Sequence, residues 1–306
     1  MPHFFSVFFA CLYQRYLSLN IEQLLVVSLG IDEQAEKSKI KTTKKIFVNF
    51  FIIILFILFF LSVIKLYQMP HLILIRHGQS EWNLEKKFTG WVDIDLTGQG
   101  KLEACKSGEY IKELRLDIDY FYSSFQLRAI NTLKLIQDTM RNNKKPTRVW
   151  QLNERHYGAL TGLSKDEMRE KLGEDKIYEF RRSWDIKPEP LSRNNPYHPI
   201  NIDTYKTVPR EKIPDTESLK DTYERVIEYY NSNIEKQLLE NKNIVISAHG
   251  NSIRALCKFL FKLDNKKISL LEIPTGNPLL IKLDLKNRIT ECKYLDKDRA
   301  KDLLIF

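Results

Sequence analysis

Two histidines stand at the ends of two apolar runs far apart in the chain. Leu72-Ile73-Leu74-Ile75 leads into Arg76-His77-Gly78, and Ile244-Val245-Ile246-Ser247-Ala248 leads into His249-Gly250-Asn251. A short β-branched run followed by His-Gly, with helical periodicity soon after, puts each imidazole at the carboxyl edge of a strand, where open α/β sheets bind ligands. Arg76 adds an always-protonated fork suited to phosphate oxygens, and Gly78 would let the backbone approach an anion with no Cβ in the way. Taken singly, a histidine at a strand end usually packs or hydrogen-bonds. Two such edges facing one pocket point instead to phosphoryl transfer through a histidine.

The elements that must position these residues alternate between strand and helix from His71 onward. This predicts a single three-layer α/β domain with a mostly parallel sheet flanked by helices. Strands are expected at Leu72 to Arg76, Tyr120 to Ser123, Thr147 to Gln151, Ile244 to Ala248 and Leu279 to Leu283. Helices are expected from near Thr97, over Gln126 to Arg141, Ser164 to Leu172, Glu174 to Trp184, Glu217 to Leu239 and Ser252 to Leu263, with Asp215 or Thr216 capping the long one. Between Asp185 and Pro214 six prolines fall without a period, which reads as a long functional or disordered loop.

At 306 residues, with 43% hydrophobic and 28% charged residues, the chain has material for a sizeable core. A net charge of +9 suits an anionic partner. No basic stripe interleaved with aromatics accompanies it, so nucleic acid is not the expected partner and a small phosphorylated substrate is. Cys11, Cys105, Cys257 and Cys292 are widely spaced, without a Cys-x-x-Cys pair or a histidine at metal spacing, and read as reduced thiols.

Four dense blocks occur in order: Arg76 to Asn83 (Arg-His-Gly-Gln-Ser-Glu-Trp-Asn), Phe88-Thr89-Gly90-Trp91, Leu152 to Gly158 (Leu-Asn-Glu-Arg-His-Tyr-Gly) and His249 to Arg254 (His-Gly-Asn-Ser-Ile-Arg). The set closely resembles the cofactor-dependent phosphoglycerate mutases of the histidine phosphatase superfamily, from about His71 to about Tyr294. The resemblance implies an isomerase that interconverts 2-phosphoglycerate and 3-phosphoglycerate, is primed by 2,3-bisphosphoglycerate, needs no metal and forms a homo-oligomer. On this reading His77 is the nucleophile that becomes phosphohistidine, His249 donates to the transferring group, and Arg76 and Arg128 clamp its oxygens. Glu154 is the expected general acid and base. Asn83, Thr89 and Gly90 match the family's phosphate and substrate contacts, and Tyr157, Lys165, Arg181 and Arg182 its carboxylate and phosphate contacts. Gly250 and Asn251 complete the binding set. His71, His156 and His198 are assigned no catalytic role.

Two rival readings remain: a phosphatase using the same His77 intermediate with water as acceptor, and a membrane-tethered binding protein that has lost activity. Mutases of this type often end in a longer tail over the site, whereas this chain ends at Phe306, which would raise leakage to water. The last reading predicts damage among the catalytic groups, and none is seen.

Residues 46–64 form an uncharged run long enough to span about 28 Å as a helix, a candidate transmembrane segment after an extension, residues 1–45, of unknown role. The lysines before the run would keep the amino-terminal segment inside and send the enzyme outward, which conflicts with a cytoplasmic catalytic domain. A start at Met69, just before the first strand, removes the conflict. The catalytic domain is accordingly set at 69–306, with membrane association through residues 46–64 only if the upstream segment is made.

Overall fold

The computed structural model describes residues 50–58 and 69–300. The chain divides between Leu66 and Tyr67. Residues 50–58 are helical, with mostly exposed apolar side chains. Among the described residues no helix is long and apolar enough to cross a membrane, so the expected spanning helix is not found there. The rest of that segment, the extension before it and the chain end after residue 300 lie outside the described residues.

The second unit is built on six strands: β1 (His71–Arg76), β2 (Tyr120–Ser123), β3 (Thr147–Arg148), β4 (Ile244–Ala248), β5 (Leu279–Leu283) and β6 (Ile289–Tyr294). They lie in the order β3-β2-β4-β1-β5-β6, with β1 to β4 mutually parallel, β5 antiparallel to β1 and β6 antiparallel to β5. The helices are α1 (Glu81–Leu84), α2 (Gly98–Glu113), α3 (Leu127–Met140), α4 (Lys165–Leu172), α5 (Glu174–Arg182), α6 (Leu219–Tyr229), α7 (Glu235–Leu239), α8 (Gly250–Leu260) and α9 (Asn265–Leu270).

The period-two alternation of the central strands divides the core in two. Leu72 and Leu74 of β1, Ile244, Ile246 and Ala248 of β4, and Leu279 and Ile281 of β5 pack on one face with Val226, Leu238, Ile253 and Leu256. Ile73, Ile75, Val245 and Leu280 point the other way, against Ile111 of α2 and Leu133 and Ile136 of α3. Helices therefore cover both faces, giving the expected α/β layers.

The departures have local causes. The expected strand at Thr147 to Gln151 is only two residues long, because the chain turns into a 3-10 turn at Trp150–Leu152. The helix expected over Glu217 to Leu239 starts at Leu219: Ser218 Oγ accepts from Asp221 N at 3.1 Å while Asp221 Oδ2 accepts from Ser218 N at 2.8 Å, a closed capping box. It is interrupted by a π turn over Tyr230–Ile234, whose extra residue re-phases the stripe so that Tyr230, Ile234 and Leu238 all reach the core. Strand β6 is not among the expected strands; it is mostly half-buried and carries the polar Thr290, Glu291 and Lys293. It is an edge strand, with Glu291 paired to Lys282 and Lys293.

The stretch between Asp185 and Pro214 is ordered. Tyr205, Val208 and Ile213 pack with Trp91, and the Tyr205 hydroxyl donates to the Trp91 carbonyl.

Candidate active site

β1 and β4 are adjacent and in register from Leu72↔Ile244 to Arg76↔Ala248, so both histidine motifs leave the sheet at one edge. His77 N donates to Ala248 O at 2.9 Å, which locks the two chain exits together. The imidazole centroids stand 5.0 Å apart.

His77 Nδ1 lies 2.7 Å from the carbonyl of Gly78. A carbonyl only accepts, so Nδ1 carries the hydrogen and Nε2 keeps its lone pair. Burial holds the ring's pKa well below the usual histidine value, and the nearby Arg128 and Arg76 guanidiniums hold it lower still. The ring is therefore neutral at neutral pH, with its lone pair on Nε2. His249 is likewise buried and pushed well below 6.5, by burial first and then by Arg128 and His77; its Nε2 lies 2.7 Å from Ser124 Oγ.

One pocket is lined by Arg76, His77, Asn83, Lys87, Phe88, Thr89, Gly90, Arg128, Glu154, Tyr157, Lys165 and Arg181. Five cations and one carboxylate face the same space, the electrostatics of a small polyanion site. Arg128 is held by Nη1 to Val92 O and Nη2 to Gly90 O, both at 2.9 Å, and Arg76 by Nη1 to Ile273 O at 2.9 Å, with Nε buried and unpartnered. Burial draws Lys165 down to about 8, with Nζ donating to Lys87 O at 2.6 Å. Burial also lowers Arg181. Burial pushes Tyr157 up, but Arg155 and Arg181 together bring the phenol below its ordinary value.

Glu154 Oε1 accepts from Arg155 N at 2.7 Å, Asn251 Nδ2 at 2.8 Å and Asn251 N at 3.3 Å. Its backbone is pinned on both sides. Gln126 Oε1 accepts from Glu154 N at 2.8 Å, and Arg225 Nη2 donates to Glu154 O at 3.0 Å. Arg225 is itself fixed by a buried ion pair, Nε to Glu217 Oε1 at 2.7 Å.

The expected residues are thus brought together, with His249 beside His77 but not in the pocket lining, and with three corrections. Arg182, the neighbour of Arg181 on α5, does not line the pocket: about 100° of helical rotation turns it to an ion pair with Glu272 and to Leu271 O. Asn251 stands behind Glu154, bonded to it and to the Tyr157 hydroxyl at 3.1 Å. Gly78 serves packing: a Cβ there would sit 2.1 Å from the Gly100 carbonyl of α2, and its N–H donates to Thr132 Oγ1. Gly250 does open on the site, where a Cβ would lie 3.7 Å from Arg76 Nε and 3.8 Å from Glu154 Oε2. Gly90 sits at φ +55° and offers its carbonyl to Gln126 and Arg128.

Lys87 was missed, although it directly precedes the Phe88 block. Ser124, Gln126, Arg225 and Arg254 were missed too, and for them only the three-dimensional contacts speak. His156 and His198 form a buried pair away from the pocket, and burial, then His198, brings His156 down to about 3. Among the described residues no group of three or more His, Cys, Asp or Glu is placed to hold a metal.

The profile of the histidine phosphatase superfamily (branch 1) matches residues 72–197 and 192–296, most of the second unit. The chain belongs to the histidine phosphatase superfamily. Within it, the chain is 77% identical over 238 residues to a 2,3-bisphosphoglycerate-dependent phosphoglycerate mutase of Pelagibacter ubique (strain HTCC1062), covering 78% of this chain and 100% of that one. A mutase of the same description from Maricaulis maris (strain MCS10) is 46% identical over 237 residues, 77% of this chain and 98% of its own. Among solved structures, Bacillus stearothermophilus YhfR shares the superfamily fold with a TM-score of 0.54 at 20% identity, covering 72% of this chain and 94% of its own. A mycobacterial glucosyl-3-phosphoglycerate phosphatase does so at 0.53 and 21%, covering 69% and 92%.

Proposed function

We propose that this chain is a 2,3-bisphosphoglycerate-dependent phosphoglycerate mutase that moves a phosphoryl group between the 2- and 3-hydroxyls of phosphoglycerate by way of a phosphohistidine at His77. The observation that carries the reading is the tautomer of His77. The Gly78 carbonyl holds the hydrogen on Nδ1, so Nε2 is a free nucleophile in a pocket of five cations with a single carboxylate.

In the forward half-reaction the Nε2 lone pair forms the P–N bond as the P–O bond of the donor breaks. Glu154 gives its proton to the departing oxygen. In the return half-reaction Glu154 takes the proton of the accepting hydroxyl, which forms the new P–O bond as the P–N bond breaks. Arg76 and Arg128 stabilise the charge on the equatorial oxygens, with His249 beside the transferring group. Arg181, Lys165 and Tyr157 suit the substrate carboxylate and the second phosphate. The same cations fit 2,3-bisphosphoglycerate, which supplies the phosphoryl group that charges His77. No step asks for a metal. We assign catalysis to residues 69–306 and a homo-oligomeric assembly, the latter checked by light scattering.

The test is an assay of the full chain, with residues 69–306 beside it, on 3-phosphoglycerate. Both 2-phosphoglycerate and free phosphate are followed, with and without 2,3-bisphosphoglycerate, in the presence of chelator. Stimulated, chelator-resistant formation of 2-phosphoglycerate is expected; phosphate release without isomerisation would overturn the mutase reading in favour of a phosphatase.

A further inference from the structure

Arg254, on the first turns of α8, is 3% exposed, and none of its hydrogen-bond partners is charged at the bonded atom. Nη1 donates to Asn251 Oδ1 at 2.9 Å, Nη2 to Ile268 O at 2.5 Å, and longer bonds of 3.4 and 3.3 Å reach the carbonyls of Arg181 and Arg182 at the end of α5. Burying a guanidinium without a carboxylate against it is costly, and an apolar side chain of similar volume would pack there at less cost. The cost therefore calls for a role beyond packing.

The geometry of Asn251 supplies it. A guanidinium has donors only, so the amide atom facing Arg254 must be Oδ1. That forces Nδ2 to the opposite side, where it donates to Glu154 Oε1 at 2.8 Å and to the Tyr157 hydroxyl at 3.1 Å. Without Arg254 the Oδ1 end of the amide loses its buried donor, and only the contacts of Nδ2 with Glu154 and Tyr157 are left to hold the side chain in place. The positive charge also polarises the amide along the line that ends at Glu154. The same guanidinium touches the carbonyl of Arg181, whose side chain lines the pocket.

We propose that Arg254 is a positioning residue for proton transfer: it sets the orientation of the Asn251 amide, and through it holds the Glu154 carboxylate where it meets the leaving oxygen. This rests on the reading of Glu154 as the proton carrier. Arg254 touches neither the substrate nor the reacting atoms, and its effect passes through Asn251.

The experiment compares two simple phosphodonors on the full chain, with phosphohistidine formation at His77 followed by rapid quench and intact mass at saturating donor. Benzyl phosphate releases an alkoxide and needs a proton; p-nitrophenyl phosphate releases a phenolate that leaves without one. In both, Nε2 gains the phosphoryl group and the P–O bond breaks, and only in the first must Glu154 lose its proton. Arg254→Met is expected to slow phosphorylation by benzyl phosphate roughly 10- to 100-fold and by p-nitrophenyl phosphate by less than about threefold, part of the usual contribution of a positioned acid. Adding Arg254→Met to Asn251→Ala should cost little more than Asn251→Ala alone, since the two act in series.

Equal losses with both donors, no loss with either, or full additivity with Asn251→Ala would overturn the proposal. If Arg254→Met does not fold, Arg254→Lys carries the test. An ammonium is a compact point charge and cannot reproduce the planar fork whose Nη1 and Nη2 reach Asn251 and Ile268 separately, so a smaller loss with the same preference for benzyl phosphate is expected, and a loss blind to the donor overturns the proposal. Glu154→Gln separates the two levels. If it slows both donors alike, the proton-carrier reading falls; if it is selective and the Arg254 variants are not, only the positioning role falls.

Discussion

The two histidine motifs begin alike and end in different work. Each is a His-Gly step at the carboxyl end of one of two adjacent parallel strands, and the strands are in register to the last residue. After His77 the chain runs into a loop, and the ring is tied to the carbonyl of its own successor, which puts the hydrogen on Nδ1. After His249 the chain turns at once into α8: His249 is the residue before the helix, its N–H donating to Ser252 Oγ at 3.0 Å and its Nε2 facing Ser124. The glycines differ as sharply. Gly78 lies flat against Gly100, while Gly250 faces Arg76 and Glu154 across the site. Equal local sequence therefore yields two rings held differently, one by the carbonyl of its own successor and one against Ser124 at the head of α8, and the difference lies in what packs against each.

The largest effect that could break this contrast comes from the rings themselves. His77→Asn should abolish the phosphoenzyme seen by intact mass and lower turnover by at least about 10⁴-fold, because the covalent route is gone. His249→Gln should leave the phosphoenzyme detectable and lower kcat by about 10²- to 10³-fold, the loss of one preorganised donor at developing charge. Equal loss of the phosphoenzyme in both variants would make the rings equivalent and the contrast empty.

The glycines sharpen it at smaller scale. Gly78→Ala puts a methyl group 2.1 Å from a backbone oxygen, which cannot yield, so we expect a loss of about 1–3 kcal/mol in denaturant unfolding. Gly250→Ala meets its neighbours only at contact distance, so stability should change by less than about 1 kcal/mol while KM rises.

The effects of pH do not separate the two rings. The pKa of His77, His249 and His156 lies below the ordinary 6.5 in the folded chain, His156 at about 3. Below pH 6.5 the unfolded chain takes up protons that the folded chain refuses, so stability falls with pH from 6.5 down to the folded values. Each histidine contributes at most about 1.4 kcal/mol per pH unit. Urea midpoints measured from pH 7 to pH 4 should show this decline, and His156→Asn should flatten it. Lys165 titrates near 8, so KM for phosphoglycerate should rise as the pH passes 8 and its charge is lost, and Lys165→Gln should remove that rise.

Much of the site was legible because motif and strand end coincide. The runs at β1, β2, β4 and β5 are read from the chain with their ends nearly as observed, since each is short, apolar and closed by a polar break. The four motif blocks each supply pocket residues or their immediate support. What stayed hidden depends on rotation and on distant contacts. Arg181 and Arg182 read alike, and only the packing of α5 turns one to the pocket and the other to Glu272. Glu217 reads as the start of a helix, yet it is half of the buried pair with Arg225 that holds the Glu154 loop.

Alone, then, the sequence determined the alternating α/β layers, the two histidines at strand ends and the cationic set suited to a phosphorylated acid. These follow from periodicity and residue type, which are local properties. The tertiary structure decided the tautomer of His77, because a tautomer is chosen by the carbonyl that faces it. It decided that Gly78 packs while Gly250 opens, because a missing Cβ matters only where another chain segment comes close. And it decided that Arg254 stands behind Asn251 and Glu154, because a chain of donors and acceptors exists only once α8, the Glu154 loop and α5 are folded against one another.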